Sequence, residues 1–121
     1  MTTMAEKWVA AISQHDRTAL TALVTDHVDF RGLTPRKAWE ASDPEAVADI
    51  VIDTWFDDGV RIDAVEEVTE DAVGDTLRVG YRFRATNGDG PHLIEQQAYY
   101  RTDGERIDYL RIVCSGYRPV S

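Results

Sequence analysis

Cysteine is almost missing from this sequence: Cys114 is the only one in 121 residues. No disulfide can form within the chain, and a reducing, cytoplasmic setting fits that usage. Long apolar runs are missing too, and none approaches the ~20 residues a bilayer-spanning helix needs. The opening MTTMAEKWVAAISQHD lacks the basic start, apolar stretch and cleavage site of a secretory leader. These absences predict a soluble, unprocessed, intracellular protein. Positive charge is scarce, with 13 Lys and Arg against 22 Asp and Glu, a formal charge of −9. Such a surface repels phosphate backbones and anionic lipid, so neither nucleic acid nor a membrane is expected as a partner.

Catalytic signatures are equally sparse. The sequence contains no G-x-S-x-G elbow, Walker loop or G-x-G-x-x-G element, leaving triad hydrolysis and nucleotide binding without support. His15, His27 and His92 fall in no zinc or iron ligand spacing, so no metal and no other cofactor is expected. No repeat, low-complexity tract or flexible linker interrupts residues 1–121, which predict a single domain.

What is present divides into two halves. Met4, Trp8, Ala11, Ile12 and His15 recur at helical spacing, and Asp16 is placed to cap a second short helix burying Leu20, Leu23 and Val24. Val28 to Arg31 reads as a short strand, followed by an irregular stretch from Gly32 through Trp39. Asp43-Pro44 opens a third helix with the stripe Val47, Ile50, Val51, Thr54 and Trp55, and Ser42 and Glu45 also have capping-box spacing. From Arg61 the period becomes two. Leu77, Val79, Tyr81, Phe83 and Ala85 alternate with Arg78, Arg82 and Arg84, which suit an outer sheet face. Asn87 to Gly90 and Asp103-Gly104 are turns between the last three strands. Helices first and an antiparallel meander after predict an α+β domain.

The penultimate strand carries a polar cluster. Leu93, Glu95, Gln97 and Tyr99 share one side, and Ile94, Gln96, Ala98 and Tyr100 the other. Whichever side meets the helices takes a polar group inside, and an unpartnered one costs roughly 1–3 kcal/mol. A polar-lined cavity is therefore expected, with the lining face left open.

The order of elements resembles the nuclear transport factor 2-like superfamily, in its SnoaL-like and ketosteroid isomerase-like branch. The resemblance rests on EKWVAAISQHDRTALTALVTDHVDF, LTPRKAWEASDPEAV and YYRTDGERIDYLRIVCSG. It implies a curved antiparallel sheet wrapped as a cone around three N-terminal helices, a ligand pocket at the open end, and a homodimer formed through the outer sheet face. The opening segment departs from the isomerase pattern. Trp8 stands where those enzymes have an oxyanion-stabilising tyrosine, and Gly32 where they have a proton-abstracting aspartate. Their protonated second acid is matched by Glu95, to within about a residue. Glycine abstracts no proton, so the steroid isomerase reaction itself is disfavoured.

Each chemical candidate also has a plainer role. Glu95 would suit a general acid if desolvated, or an ordinary pair with Arg82 or Arg111. Asp29, with Arg31 on the same face, could complete an acid–arginine–acid set resembling limonene epoxide hydrolases, or form a solvated ion pair. His15 and Asp16 could make a dyad, although the resemblance puts them in the turn between the first two helices. Cys114 reads as a small apolar residue rather than a nucleophile. Trp8, Trp39 and Trp55, with Tyr81, Phe83 and Tyr99, suit either a core or walls around a flat hydrophobic ligand.

The resulting expectation is a SnoaL-like pocket protein for a small apolar or aromatic molecule. If it is an enzyme, the chemistry is cofactor-free isomerisation, cyclisation, dehydration or hydration, with Glu95 as acid and Asp29 as base. Trp8, Arg31, Trp55, Gln97, Tyr99 and Arg111 would contact the substrate. The alternative is a non-catalytic homodimeric binding or assembly module.

Overall fold

Helix α1 (Met4–Ser13) begins where Thr3 accepts the Glu6 amide at 3.1 Å while the Glu6 carboxylate returns to Thr3, a capping box. In this computed structural model, which describes residues 3–120, α1 turns Ala5, Trp8, Val9, Ala11 and Ile12 inward. His15, at φ 51°, makes the turn into α2 (Arg17–Ala22), and Asp16 caps α2 by accepting the Ala19 amide at 3.0 Å. A histidine–aspartate dyad does not form, because Asp16 is committed to that cap.

Helix α3 (Pro44–Ile50) is capped by Asp43, which accepts the Ala46 amide at 2.8 Å. It then widens into a π-helical turn, Val51–Trp55. The Thr54 hydroxyl donates to the Asp49 carbonyl at 2.8 Å, five residues back. Trp55 and Phe56 at its end are both buried, continuing the inward pairs Val47–Ala48 and Val51–Ile52.

The strands are β1 (Val24–Thr34), β2 (Lys37–Ala41), β3 (Arg61–Val73), β4 (Thr76–Asn87), β5 (Gly90–Asp103), β6 (Arg106–Cys114) and β7 (Arg118–Pro119). The main path runs β2-β1-β6-β5-β4-β3, with β7 on β5. Its end strands β2 and β3 do not meet, so the sheet curls around the helices without closing. The expected meander of β3 to β6 is present. Two features go beyond the sequence reading. β1 pairs with β6 in parallel, so the sheet is mixed, the intervening helices and strands supplying the long crossover that parallel pairing needs. The stretch expected to be irregular folds as a β1–β2 hairpin about Arg36 (φ 74°), with Gly32 opposite Trp39.

The core fills the concave side. Trp8, Val28, Phe30, Phe83, Leu110 and Ile112 all lie within it, each at most 1% exposed. No helix among the described residues is long and apolar enough to cross a membrane.

Gly32 fixes one wall of this interior. A Cβ built there would stand 2.6 Å from Cη2 of Trp55, well inside contact distance. Gly32→Ala is therefore expected to destabilise the fold by about 1–3 kcal/mol through overpacking or displacement of the indole. Urea denaturation monitored by tryptophan fluorescence measures it, and an unchanged midpoint would mean the Trp55 ring yields freely.

Candidate functional site

Strand β5 sends Ile94, Gln96, Ala98 and Tyr100 inward. Three apolar or aromatic residues outweigh one amide, so the side carrying Gln96 is buried and the side carrying Glu95 faces out. The amide is 1% exposed, and its surroundings determine its orientation. The Trp8 indole N–H donates to the Tyr81 hydroxyl at 3.0 Å. Tyr81 then has one proton to give, and it donates to Gln96 Oε1 at 2.6 Å. Gln96 Nε2 is left buried with no hydrogen-bond partner among the described residues, and so is Trp55 Nε1.

Gln96 and Trp55 line the same cavity, together with Thr34, Trp39, Thr54, Phe56, Ile94, Cys114, Gly116 and Tyr117. Its volume is about 230 Å³. Trp39 meets Trp55 edge-on with ring centres 6.2 Å apart, and Phe56 meets Tyr117 at 6.4 Å. The Tyr117 hydroxyl donates to the Trp55 carbonyl, binding the segment after β6 to the π-helical turn. The wall is thus mainly aromatic, with hydrogen-bond donors as its unsatisfied polar groups. Among the described residues no carboxylate lines it.

The residues singled out in the sequence are dispersed by this arrangement. Trp55 lines the cavity, and Trp8 lies one layer behind it, acting through Tyr81 and Gln96. Glu95, Gln97 and Tyr99 stand on the outer face of β5, and Asp29, Arg31 and Arg111 on the outer face of β1 and β6. The Glu95 side chain is 52% exposed and 3.9 Å from Arg82. Asp29, at 58% exposure, is held by Arg111 at 3.3 Å. Arg31 lies 3.8 Å from Glu40, and Gln97 accepts from Arg78 at 2.5 Å. Neither the Glu95 nor the Asp29 carboxyl lines this cavity, and Arg31, Gln97, Tyr99 and Arg111 are likewise outside it. The inward position next to Glu95 belongs to Gln96, and the place matched to the isomerase aspartate, Gly32, is roofed by the Trp55 indole.

Two placements differ from what the sequence suggests. Cys114 is half-buried, packed against the core and at the same time part of the cavity wall. His27, Asp103 and Asp108 come together from β1, β5 and β6 with ligand atoms within 4.8 Å. Their sequence spacing gives no hint of this, because the strands alone assemble them. They lie near the beginnings of β1 and β6, whereas the cavity is at the ends. The Thr25 hydroxyl and His27 already bond Asp108 Oδ1, at 2.9 and 3.1 Å.

Burial pushes the Tyr81 and Tyr117 hydroxyls far above the ordinary tyrosine value, and that of Tyr100 upward as well. Raised folded-state values mean that stability is intact below the unfolded value of about 10 and is lost as pH rises through it. Urea midpoints are expected to hold steady at neutral pH and to fall above about pH 10. A midpoint flat to strongly alkaline pH would show that these hydroxyls ionise freely in the folded state.

No protein-family model matches the chain, and no curated protein does. Solved structures do. A candidate isomerase from Rhodopseudomonas palustris superposes with a TM-score of 0.77 at 16% identity, over 96% of this chain and 92% of that one. An NTF2-like protein from Burkholderia xenovorans gives 0.68 at 13%, over 93% and 86%. A hypothetical protein with a ketosteroid isomerase-like fold from Catenulispora acidiphila, in complex with trimethylamine, gives 0.68 at 17%, over 94% and 88%. At such identities the likeness speaks to architecture. With its curled sheet, three leading helices and cavity beneath the π-helical turn, the chain has the nuclear transport factor 2-like α+β fold.

Proposed function

We propose that the cavity binds a small, flat, largely apolar molecule carrying a hydrogen-bond-accepting oxygen, such as an aryl ketone. The observation that carries this reading is the pair of unpartnered buried donors, Gln96 Nε2 and Trp55 Nε1, in an aromatic wall. Each would cost roughly 1–3 kcal/mol if left without any acceptor, and a guest's carbonyl oxygen supplies one where a purely apolar guest does not. Trp39, Trp55, Phe56 and Tyr117 would also attract a methylated ammonium by cation–π contact. Two N–H groups directed at a guest repel a cation, however, and favour an acceptor. With no carboxylate in the wall, the site holds and polarises a carbonyl rather than removing protons with an acid–base pair. A free thiol in the cavity suits a reducing compartment such as the cytoplasm.

Titration calorimetry with benzylacetone tests the reading. Trp55→Phe and Gln96→Met should each weaken binding about tenfold by removing one donor. Gln96→Met should also destabilise the fold by about 1–3 kcal/mol, since the buried Tyr81 hydroxyl loses its acceptor, whereas the Trp55 N–H has no internal bond to lose. Equal affinity in both variants, or preference for tetramethylammonium over the ketone, would refute the proposal.

We further propose that the outer sheet face pairs with a second copy of the chain. Leu33 and Val113 are register partners on β1 and β6, exposed by 55% and 50%, and lie on one surface with Ala38 of β2. Around them Arg31 and Arg111 alternate with Glu40 and Asp29, a mixture that a two-fold axis can match to itself. Sedimentation is expected to give a dimer that Val113→Lys converts to monomer; a monomeric parent would end this reading.

A further inference from the structure

Gln96 and Cys114 are direct cross-strand partners on β5 and β6. Such partners share a face with Cβ atoms about 4.5–5.5 Å apart, and both line the cavity. The amide is 1% exposed with Nε2 unpartnered among the described residues. The thiol is free and half-buried, and the Gly116 amide donates to its sulfur at 3.4 Å, which fixes where the sulfur sits. A soft nucleophile therefore stands beside an unused donor inside an aromatic box. A conjugated carbonyl compound presents the complementary pair, an electrophilic carbon separated from its oxygen by two further carbons.

We propose that Cys114 captures α,β-unsaturated carbonyl compounds covalently, with Gln96 Nε2 holding the carbonyl oxygen. The inference rests on the acceptor-binding reading of the cavity. The thiol proton leaves to solvent and the sulfur lone pair forms a bond to the β-carbon. The π pair of the carbon–carbon double bond moves through the α-carbon onto the carbonyl oxygen, where the Gln96 N–H stabilises the enolate. A solvent proton then lands on the α-carbon and the carbonyl is restored. One C–S and one C–H bond replace the alkene π bond and the S–H bond, so no external oxidant or reductant is required. The aromatic wall of Trp39, Phe56 and Tyr117 selects for an aryl substituent on the β-carbon.

The test is intact-mass spectrometry of the full chain with benzylideneacetone, with benzylacetone, its saturated counterpart, as a binding control. The expected result is a single adduct that maps to Cys114, is absent in Cys114→Ser, and forms at a rate that saturates with concentration. Excess benzylacetone should slow it, and Gln96→Met should slow it about tenfold. If Gln96→Met does not fold, saturation and protection by benzylacetone in the parent chain decide. Binding of benzylacetone without an adduct from benzylideneacetone overturns the capture and leaves the cavity reading intact. A rate linear in concentration and equal to that of the urea-unfolded chain also overturns it. Failure of benzylacetone to bind at all overturns both.

Discussion

The interior of this protein is organised by one unavoidable burial. Strand β5 must present one of its two faces to the helices, and the apolar weight of Ile94, Ala98 and Tyr100 commits Gln96 to the inside. An amide has an acceptor end and a donor end, and only the first is answered from within the fold. The Trp8 indole occupies the Tyr81 oxygen as a donor, which compels the tyrosine proton toward Gln96 Oε1. The Nε2 group is then left without a partner, in a residue that lines the cavity. Three residues from α1, β4 and β5 thus set the polarity of the site before any ligand is considered.

The second constraint is steric. The π-helical turn that ends α3 leads into Trp55 and Phe56, both packed against the core. Room for the indole exists because residue 32 has no side chain. The same glycine explains why the proton-transfer chemistry suggested by resemblance has no base at that point: a carboxylate at position 32 and an indole at position 55 compete for one volume.

Much of the architecture was legible because period and capping are local properties. The Asp43-Pro44 start of α3, the alternation of β4 from Leu77 to Ala85, and the turns at Asn87 to Gly90 and Asp103-Gly104 all follow from nearest neighbours. The inward face of β5 depends on a sum over its whole length, and the prominence of Glu95 obscured the neighbour that lies inside. A carboxylate draws notice as an acid, yet its charge is what keeps Glu95 outside beside Arg82. Gly32 and Pro35 read as the opening of an irregular stretch through Trp39, whereas Pro35 and Arg36 are the turn of the β1–β2 hairpin. The parallel β1–β6 pairing and the gathering of His27, Asp103 and Asp108 are long-range outcomes with no local signature.

The distribution of charge follows the same logic and bears on function. With 22 acidic residues in the chain, carboxylates are abundant, yet those on the sheet near the site are committed to arginines in solvent. There the pairs contribute little and are screened. Inside, electrostatics comes from neutral N–H dipoles, which cost far less to desolvate than an ion and remain in place without a counter-charge. On the proposed reading, such a wall would stabilise partial or transient negative charge on a guest's oxygen. It would then be the Cys114 thiol in the wall, and none of the carboxylates outside, that stands beside a bound carbonyl compound.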